Sequence, residues 1–222
     1  MQEELTQFQK NDVWKLVQAP KDRSIIGTKW VYRNKLDKSG NVVRNKARLV
    51  AKGYSHQEGR DFTETFAPVP RIEAIRILLA FAACTSKKLY QTDVKSAFLN
   101  GTILEEVYIN QPPGFENDLL PSHVFKLNKA LYGLKQAPRA WYDKLSSFLT
   151  INNFIRGKTD STLFRKEIKD NFIIVQIYVD DIIFGATNDN LCQEFSKLMH
   201  DEFEMNMMGE LKFFLGLHRP IR

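Results

Sequence analysis

Cysteine, histidine and long apolar runs are all scarce in this sequence of 222 residues. Its two cysteines, Cys84 and Cys192, lie far apart, which excludes a disulfide framework, and the four scattered histidines complete no zinc-binding spacing. No run of about 18 apolar residues is present, and the first residues, MQEELTQFQKND, are polar and acidic rather than typical of a signal peptide. We therefore expect a soluble, intracellular protein in a reducing compartment, without a membrane partner.

Composition bounds the class of protein further. Hydrophobic residues make up 43% of the chain and aromatic residues 12%, enough to bury a core in one large domain or two subdomains. Neither repeats nor low-complexity tracts indicate an array. The net charge of +6 indicates an anionic partner only weakly, so the distribution of the charge matters more.

The most informative stretch is FIIVQIYVDDIIFG, from Phe172 to Gly185. Its β-branched and apolar residues predict two buried strands, and Asp180 and Asp181 fall at the turn between them. Two adjacent carboxylates that lose water also repel each other, so a divalent cation is the simplest way to offset both effects. The alternative is a solvated Asp-Asp turn without a metal role, because Asp is common at turns.

A third carboxylate on a neighbouring strand would favour the metal site. The segment LYQTDVKSAFLNG begins as an alternating strand, and Asp93 lies near its end, where an aspartate taken alone is more often a turn or capping residue. Phe98 follows five residues later, within reach of a ligand held by Asp93. Magnesium prefers such hard oxygen ligands together with substrate phosphates.

Residues 28–52 predict a β-hairpin with its turn at Gly40 and Asn41. Its charge is one-sided, because a single acid, Asp37, accompanies eight basic residues: Lys29, Arg33, Lys35, Lys38, Arg44, Lys46, Arg48 and Lys52. Alternation along the second strand puts Arg44, Lys46 and Arg48 on one face, a row of cations suited to a triphosphate or a nucleic-acid backbone. The competing interpretation is a solvated edge hairpin whose lysines discourage aggregation.

The remaining segments predict mostly packing elements. Helices are expected over 71–86, with Cys84 inside it, from Pro138 to 154, and after Asn188, and strands over 103–111 and 160–167. The glycine-containing segment GLKQAP presents Lys135, Gln136 and Arg139 before the second helix, where it is either a base-contacting loop or a simple connector. Residues 1–27 predict a polar lead-in whose apolar patch packs on the body, and the MNMMGELKFFLGL segment predicts a closing hairpin.

Taken together, five segments in this order resemble the reverse transcriptase domain of copia-type retrotransposon Pol polyproteins. They are GTKWVYRNKLDKSGNVVRNKARLVAKGYSHQEGRDFTETFAPV, LYQTDVKSAFLNG, LNKALYGLKQAPRAWYDKL, YVDDIIFG and MGELKFFLGL. The likeness runs from Trp14 to Leu217. A lone YVDD is a weak signal, whereas five segments in the right order are a strong one.

The resemblance implies an α+β, right-hand polymerase with fingers and palm, the palm being ferredoxin-like with an antiparallel sheet. In that scheme residues 1–27 are a lead-in, 28–88 the fingers hairpin and helix, 89–217 the palm with a fingers insertion around 101–137, and 218–222 a divergent tail. Family members continue into a thumb and an RNase H domain, so this chain resembles a Pol fragment or the product of a truncated element.

The resemblance also implies site residues. Asp93 and Asp180 look like ligands that bridge two Mg²⁺ ions, or Mn²⁺ in their place, with Asp181 the third acid and the Val94 carbonyl an additional ligand. Lys46 and Arg48 look like the residues that bind the triphosphate. The hairpin can be matched to the family in two ways that differ by one residue, so the resemblance does not say which of the two makes the main contact. The other nucleotide-binding residues are Ala97, Phe98 as a steric gate against a ribose 2′-OH, Tyr132, Lys135 and Gln136 beside Gly133. Primer contacts are Tyr178, Leu215 and Gly216.

Three functional hypotheses follow. The leading one is an RNA-directed DNA polymerase that adds deoxynucleoside triphosphates to a DNA primer on an RNA template, beside the integrase and RNase H of a Pol polyprotein. The second is a nucleic-acid-binding remnant that no longer polymerises. The third is a metal-dependent nucleotidyltransferase or nuclease of another fold, which the basic hairpin and Phe98 disfavour. The resemblance implies a cytoplasmic virus-like particle, with a nuclear location as the alternative.

Overall fold

The computed structural model describes residues 1–37, 39–59, 61–211, 213–214 and 217–218. Its α-helices are α1 (Gln2–Lys10), α2 (Ile72–Cys84), α3 (Ala137–Ile151) and α4 (Asp189–Glu202). Its strands are β1 (Trp14–Gln18), β2 (Ile25–Ile26), β3 (Thr28–Leu36), β4 (Val42–Ala51), β5 (Tyr90–Val94), β6 (Tyr108–Ile109), β7 (His123–Leu127), β8 (Ile155–Arg156), β9 (Leu163–Ile168), β10 (Asn171–Tyr178), β11 (Asp181–Ala186), β12 (Met205–Glu210), β13 (Phe213–Phe214) and β14 (Leu217–His218). This mixture, with mostly antiparallel pairing, confirms the α+β class. Over the part of the chain that is described, no helix has both the length and the apolar character needed to cross a bilayer.

The chain packs as two units. The first unit comprises Met1–Ala67 and Phe98–Lys144, and the second comprises Pro68–Ala97 with the described residues from Leu145 onward. The domain boundaries predicted from the sequence stay a prediction.

The first unit contains a four-stranded sheet of order β1-β7-β6-β2 and the separate hairpin of β3 and β4. Its core combines residues from α1, β1, β4 and the segments around β6 and β7, including Phe8, Leu49, Leu99 and Ile109, all of them fully buried. The lead-in predicted for residues 1–27 therefore contains a helix and two strands. Its apolar patch packs as expected, with Val13 fully buried.

The predicted basic hairpin is confirmed. Antiparallel pairing runs from Thr28 opposite Ala51 to Lys35 opposite Arg44. Its turn is closed by Asp37, whose Oδ1 accepts hydrogen bonds from the backbone N–H groups of Ser39 and Asn41 at 2.8 and 2.9 Å. These bonds hold the pKa of Asp37 below its ordinary value, because they stabilise the ionised carboxylate. The turn chemistry expected of this stretch therefore sets the register of the strands.

The second unit is organised by a six-stranded antiparallel sheet of order β12-β5-β11-β10-β9-β8. Its central strands are β-branched and buried, as a strand covered on both faces requires. On one face, Phe184 packs on Phe195 of α4 with ring centroids 4.9 Å apart. On the other, Ile183 joins Ile75 and Leu78 of α2 in an apolar cluster. The two faces anchor β11, whose first residue is Asp181.

Three expectations from the sequence are wrong. The alternating segment 103–111 forms a strand only at Tyr108–Ile109, because Ile103 and Val107 reach the core from irregular backbone. Cys84, expected inside a helix over 71–86, is the last residue of α2 and is exposed, while Cys192 is buried. Helix α3 begins at Ala137, so Pro138 is its second residue, a position where the missing N–H is still harmless.

Candidate functional site

The structure brings the predicted carboxylates together at one end of the second unit's sheet. Asp181 stands directly opposite Asp93 in the antiparallel pairing of β11 with β5. Asp180 lies in the turn that precedes β11, and its carbonyl accepts a hydrogen bond from the Val94 N–H at 3.0 Å. Directly opposite residues of antiparallel strands have Cα atoms about 4.5–5.5 Å apart. The three carboxylates, called the carboxylate site below, therefore occupy adjacent backbone positions.

The turn that carries Asp180 is strained. Tyr178 pairs with Asp181, which leaves Val179 and Asp180 as a two-residue hairpin turn. Val179 has a φ of 56°, in the left-handed region that β-branched residues rarely adopt. Such a conformation costs about 1–3 kcal/mol and persists only where the surrounding structure enforces it. Here the flanking strands β10 and β11 enforce it, and Asp180 is the second residue of the turn.

The electrostatics of the carboxylate site show the repulsion that the sequence predicts. Burial raises the pKa of Asp181 above its ordinary value, a hydrogen bond from Gln91 lowers it, and the charges of Asp180 and Asp93 raise it. Gln91 Nε2 donates to Asp181 Oδ1 at 3.0 Å, and Asn206 Nδ2 donates to Asp93 Oδ2 at 3.3 Å. Neutral amides thus hold two of the acids, without neutralising the like charges.

Among the described residues, no three His, Cys, Asp or Glu side chains converge closely enough to form a ready metal site. The donors nonetheless fit magnesium, because three carboxylates at neighbouring strand ends supply the hard oxygen ligands that it prefers. Each of these amides contacts one oxygen of its acid, and a carboxylate has two oxygens, so the contacts from Asn206 and Gln91 do not exclude a cation.

In the first unit, three predicted nucleotide-binding residues from distant segments meet. The guanidinium carbon of Arg48 lies 5.0 Å from the centroid of the Tyr132 ring, a cation–π distance. The Phe98 ring lies 5.0 Å from the same ring, tilted by 59°. We call these residues the Arg48 cluster. It combines a cation suited to phosphate with two rings suited to a nucleoside.

The loop that carries Tyr132 is fixed to β4 through its backbone. The Ala51 N–H donates to the Tyr132 carbonyl at 2.7 Å. The next residue, Gly133, has a φ of +91°, and a Cβ there would lie 2.2 Å from the Ala51 carbonyl oxygen. Only glycine allows this approach. The close approach therefore fixes the backbone of Tyr132 against β4, and a base-contacting role for the loop stays a prediction.

Lys135 and Gln136 are anchored to His56, Asp61 and Phe62 of the same unit. Lys135 Nζ donates to the His56 carbonyl at 3.4 Å and lies 4.9 Å from the Phe62 ring centroid. Gln136 is 3% exposed, and its Nε2 donates to the Asp61 carbonyl at 3.0 Å. Burial lowers the pKa of the neighbouring His56, which favours the neutral imidazole. The nucleotide-contacting roles of both residues stay predictions.

Comparison with known proteins decides the family. A family model described as "Reverse transcriptase (RNA-dependent DNA polymerase)" matches residues 11–219. The chain belongs to the reverse transcriptase family.

Curated relatives place this reverse transcriptase domain among transposon polyproteins. It is 41% identical over 218 residues to the Retrovirus-related Pol polyprotein from transposon TNT 1-94 of Nicotiana tabacum, a match covering 98% of this chain and 16% of the relative. It is 42% identical over 216 residues to the corresponding polyprotein from transposon RE1 of Arabidopsis thaliana, covering 93% and 14%. The relatives are thus several times longer. The recognition of a retrotransposon reverse transcriptase is confirmed.

The other predicted site residues of the reverse transcriptase domain are placed as follows. Lys46 lies two residues before Arg48 on β4 and is half-buried, and Ala97 is buried after β5. Tyr178 packs edge-on against Phe214 with ring centroids 5.6 Å apart. The predicted primer contacts Leu215 and Gly216 lie outside the described residues.

Two residues that hold the carboxylate site were missing from the predictions. Gln91 precedes Asp93 by two positions, so strand alternation alone indicates that both side chains share a face. Asn206 faces Asp93 only because β12 pairs with β5, more than a hundred residues away in sequence. A local pattern could have identified the first residue. No local signal points to the second.

Proposed function

We propose that this reverse transcriptase domain extends a DNA primer on an RNA template with deoxynucleoside triphosphates. The observation that carries the proposal is the pairing of Asp93 opposite Asp181 with Asp180 in the adjoining turn. Three neighbouring ionised carboxylates repel one another, and this repulsion destabilises the folded chain. Such a group is expected at a site where bound cations offset the repulsion. The description of the matching family model supports the same reaction.

We further propose that the second unit is a ferredoxin-like palm and that the first unit supplies the fingers. In chain order, β5, the part of α3 from Leu145 onward, β10, β11, α4 and β12 form a βαββαβ series in this unit, and the strands lie in the order β12-β5-β11-β10. That order and its antiparallel pairing support a ferredoxin-like sheet. The basic hairpin of β3 and β4 supports the fingers assignment.

The carboxylate site is proposed to hold two Mg²⁺ ions, or Mn²⁺, through Asp93 and Asp180, with Asp181 and the Val94 carbonyl as further ligands. When bound, such ions lower the pKa of the primer 3′-OH and stabilise charge on the leaving pyrophosphate. The residues of the chain supply the orientation. Strand pairing fixes Asp93 against Asp181, and Asp180 is the second residue of the strained turn at Val179.

The Arg48 cluster is proposed to bind the incoming nucleotide, assisted by Lys46, Ala97, Lys135 and Gln136. Arg48 and Lys46 supply positive charge to the triphosphate, and stacking on Tyr132 limits the orientations of the Arg48 guanidinium. Tyr178, Leu215 and Gly216 are proposed to contact the primer. RNA template, DNA primer and nucleotides are therefore the proposed partners.

The proposed setting follows from the relatives. Because the matched relatives are Pol polyproteins, we propose that the domain works beside integrase and RNase H segments. A cytoplasmic virus-like particle is the proposed location. Fractionation of expressing cells, with particle RNA and this domain followed in the same fractions, tests that location.

The reaction is tested by primer extension with metal removal. We expect the purified chain to extend a DNA primer on an RNA template in Mg²⁺, to stop when the metal is chelated, and to resume when Mg²⁺ or Mn²⁺ is restored. A reaction without template controls for untemplated addition. Salt-dependent binding of an RNA–DNA duplex with no metal-dependent extension would instead support the binding remnant.

Selectivity for deoxynucleotides gives a second test. Replacing Phe98 by Ala removes the ring that packs on Tyr132, so ribonucleotides should gain access to the space beside the ribose 2′ position. We expect discrimination between dNTP and rNTP, measured as the ratio of kcat/KM values, to fall about 10²-fold, since little else in an apolar pocket rejects one hydroxyl. Phe115→Ala, which removes a half-buried ring beside Trp30, is the matched control. Unaltered discrimination in Phe98→Ala would refute the steric-gate role.

A further inference from the structure

A buried acid on α1 faces the cations of the proposed nucleotide site. Glu4 is only 8% exposed, which is rare for a glutamate without a full set of partners. The helix cannot swing away easily, because Phe8 is fully buried in the first unit's core and packs edge-on against Trp14 at 4.7 Å. Glu4 is therefore a fixed part of its surroundings.

The carboxylate of Glu4 lies against β4. The Leu49 N–H donates to it, which sets it beside the backbone of Arg48. Burial raises the pKa of Glu4 above its ordinary value, and the charges of Lys46 and Arg48 lower it in part. Within the described ranges, Glu4 Oε1 has no hydrogen-bond partner, and Arg48 Nε, a buried donor, has none either. Among the described residues, a buried acceptor on α1 and a buried cationic donor on β4 are thus both without a direct hydrogen bond.

The neighbouring acid on α1 behaves differently. Glu3 Oε2 pairs with Arg44 at 2.9 Å, and the two side chains are 86% and 62% exposed. Water and salt screen this pair, so it contributes little. The contrast leaves Glu4 as the acid that acts on Lys46 and Arg48.

We propose that Glu4 is an internal counter-ion of Lys46 and Arg48 that limits the affinity of the reverse transcriptase domain for the triphosphate of the incoming nucleotide. The inference rests on the nucleotide-binding role proposed above. A triphosphate that binds Lys46 and Arg48 is also repelled by the fixed negative charge of Glu4. This repulsion cancels part of its attraction to the two cations. The same charge reduces the mutual repulsion of the two cations while the site holds no nucleotide.

Proton linkage follows from this arrangement. When phosphates engage Lys46 and Arg48, Glu4 loses their stabilising field and gains negative neighbours, so its pKa rises further. Binding then takes up a proton, and affinity rises as the pH falls. The charged side chains that act on Glu4 are those of Lys46 and Arg48.

The test compares Glu4→Gln with Glu3→Gln in titrations of dTTP and of inorganic tripolyphosphate. We expect Glu4→Gln to bind both probes about fivefold more tightly, because one partly screened charge is removed near the phosphates, and Glu3→Gln to stay within about twofold. Calorimetry in buffers of different ionisation heat should show proton uptake by the native chain that Glu4→Gln lacks. Gln keeps an acceptor for the Leu49 N–H, and thermal unfolding checks the fold.

The outcomes separate this inference from the proposed function. Equal or weaker triphosphate binding by a folded Glu4→Gln, with native binding intact, overturns the counter-ion role alone. Absence of proton uptake by the native chain on binding also overturns it, without any variant. A native chain that binds neither probe overturns the nucleotide-binding role itself, and the inference with it.

Discussion

Asp180→Asn is expected to lower primer extension on an RNA template by about 10³-fold, the scale seen when one group that stabilises transition-state charge is removed. The amide has the size of the carboxylate but no charge, so the carboxylate site would lose part of its attraction for cations. Its backbone carbonyl would still accept the hydrogen bond from the Val94 N–H. The measurement is single-turnover extension at saturating Mg²⁺.

The same variant should not lose stability. Burial raises the pKa of Asp181, and the hydrogen bond from Gln91 lowers it. The charge of Asp180 also raises it, by less than either of these effects changes it. Removing that charge relieves repulsion in the folded state, so the free energy of unfolding at neutral pH should be unchanged or slightly higher. Thermal unfolding of the two proteins side by side checks this sign. A purely structural role for Asp180 would move stability and activity down together.

Asp170→Asn is the matched control. Asp170 is exposed in the turn at the other end of β10, so the same substitution removes the same charge far along the strand from the carboxylate site. We expect near-native extension and stability. Extension by Asp180→Asn at the rate of this control would rule out a role for Asp180 in metal binding.

The local parts of this fold are predictable from sequence, because neighbouring residues encode them. The continuous apolar and β-branched run around Asp180 and the turn residues between β3 and β4 predict both hairpins. The same patterns cannot say that β5 lies beside β11, since that pairing joins residues about ninety positions apart. Resemblance to a family supplied that step, and the pairing of Asp93 opposite Asp181 agrees with it.

Contacts that depend on unpredicted elements could not be foreseen. Glu4 lies against β4 only because residues 2–10 form a helix. Nothing in the sequence around these two adjacent glutamates shows that Glu4 is buried and Glu3 is exposed. Asn206 reaches Asp93 only across the pairing of β12 with β5. Alternation misled in the segment 103–111, since apolar residues there reach the core without forming a strand. An apolar pattern shows which side chains are buried, but a side chain can also be buried from irregular backbone.

Gly133→Ala is expected to cause the largest loss of stability among the substitutions considered. Two separate effects act at this position. Alanine at a φ of +91° is strained, and its Cβ would lie 2.2 Å from the Ala51 carbonyl oxygen and 2.7 Å from a methyl group of Val50. The Ala51 oxygen belongs to backbone, so the loop or β4 must move. We expect a loss of about 3 kcal/mol or more, in the range of changes that combine backbone strain with a steric clash.

Gly114→Ala separates the two effects. Gly114 has a similar φ of +79°, but nothing lies within 4 Å of a Cβ added there. It should lose only about 1 kcal/mol, the cost of the left-handed conformation for alanine. Chemical denaturation gives both values, and equal losses would show that the close approach to Ala51 is unimportant. Because moving Gly133 also moves Tyr132 away from Arg48 and Phe98, Gly133→Ala should weaken dTTP binding, whereas Gly114→Ala should not. A drop in stability without weaker binding would mean that the loop shapes the first unit but not the nucleotide site.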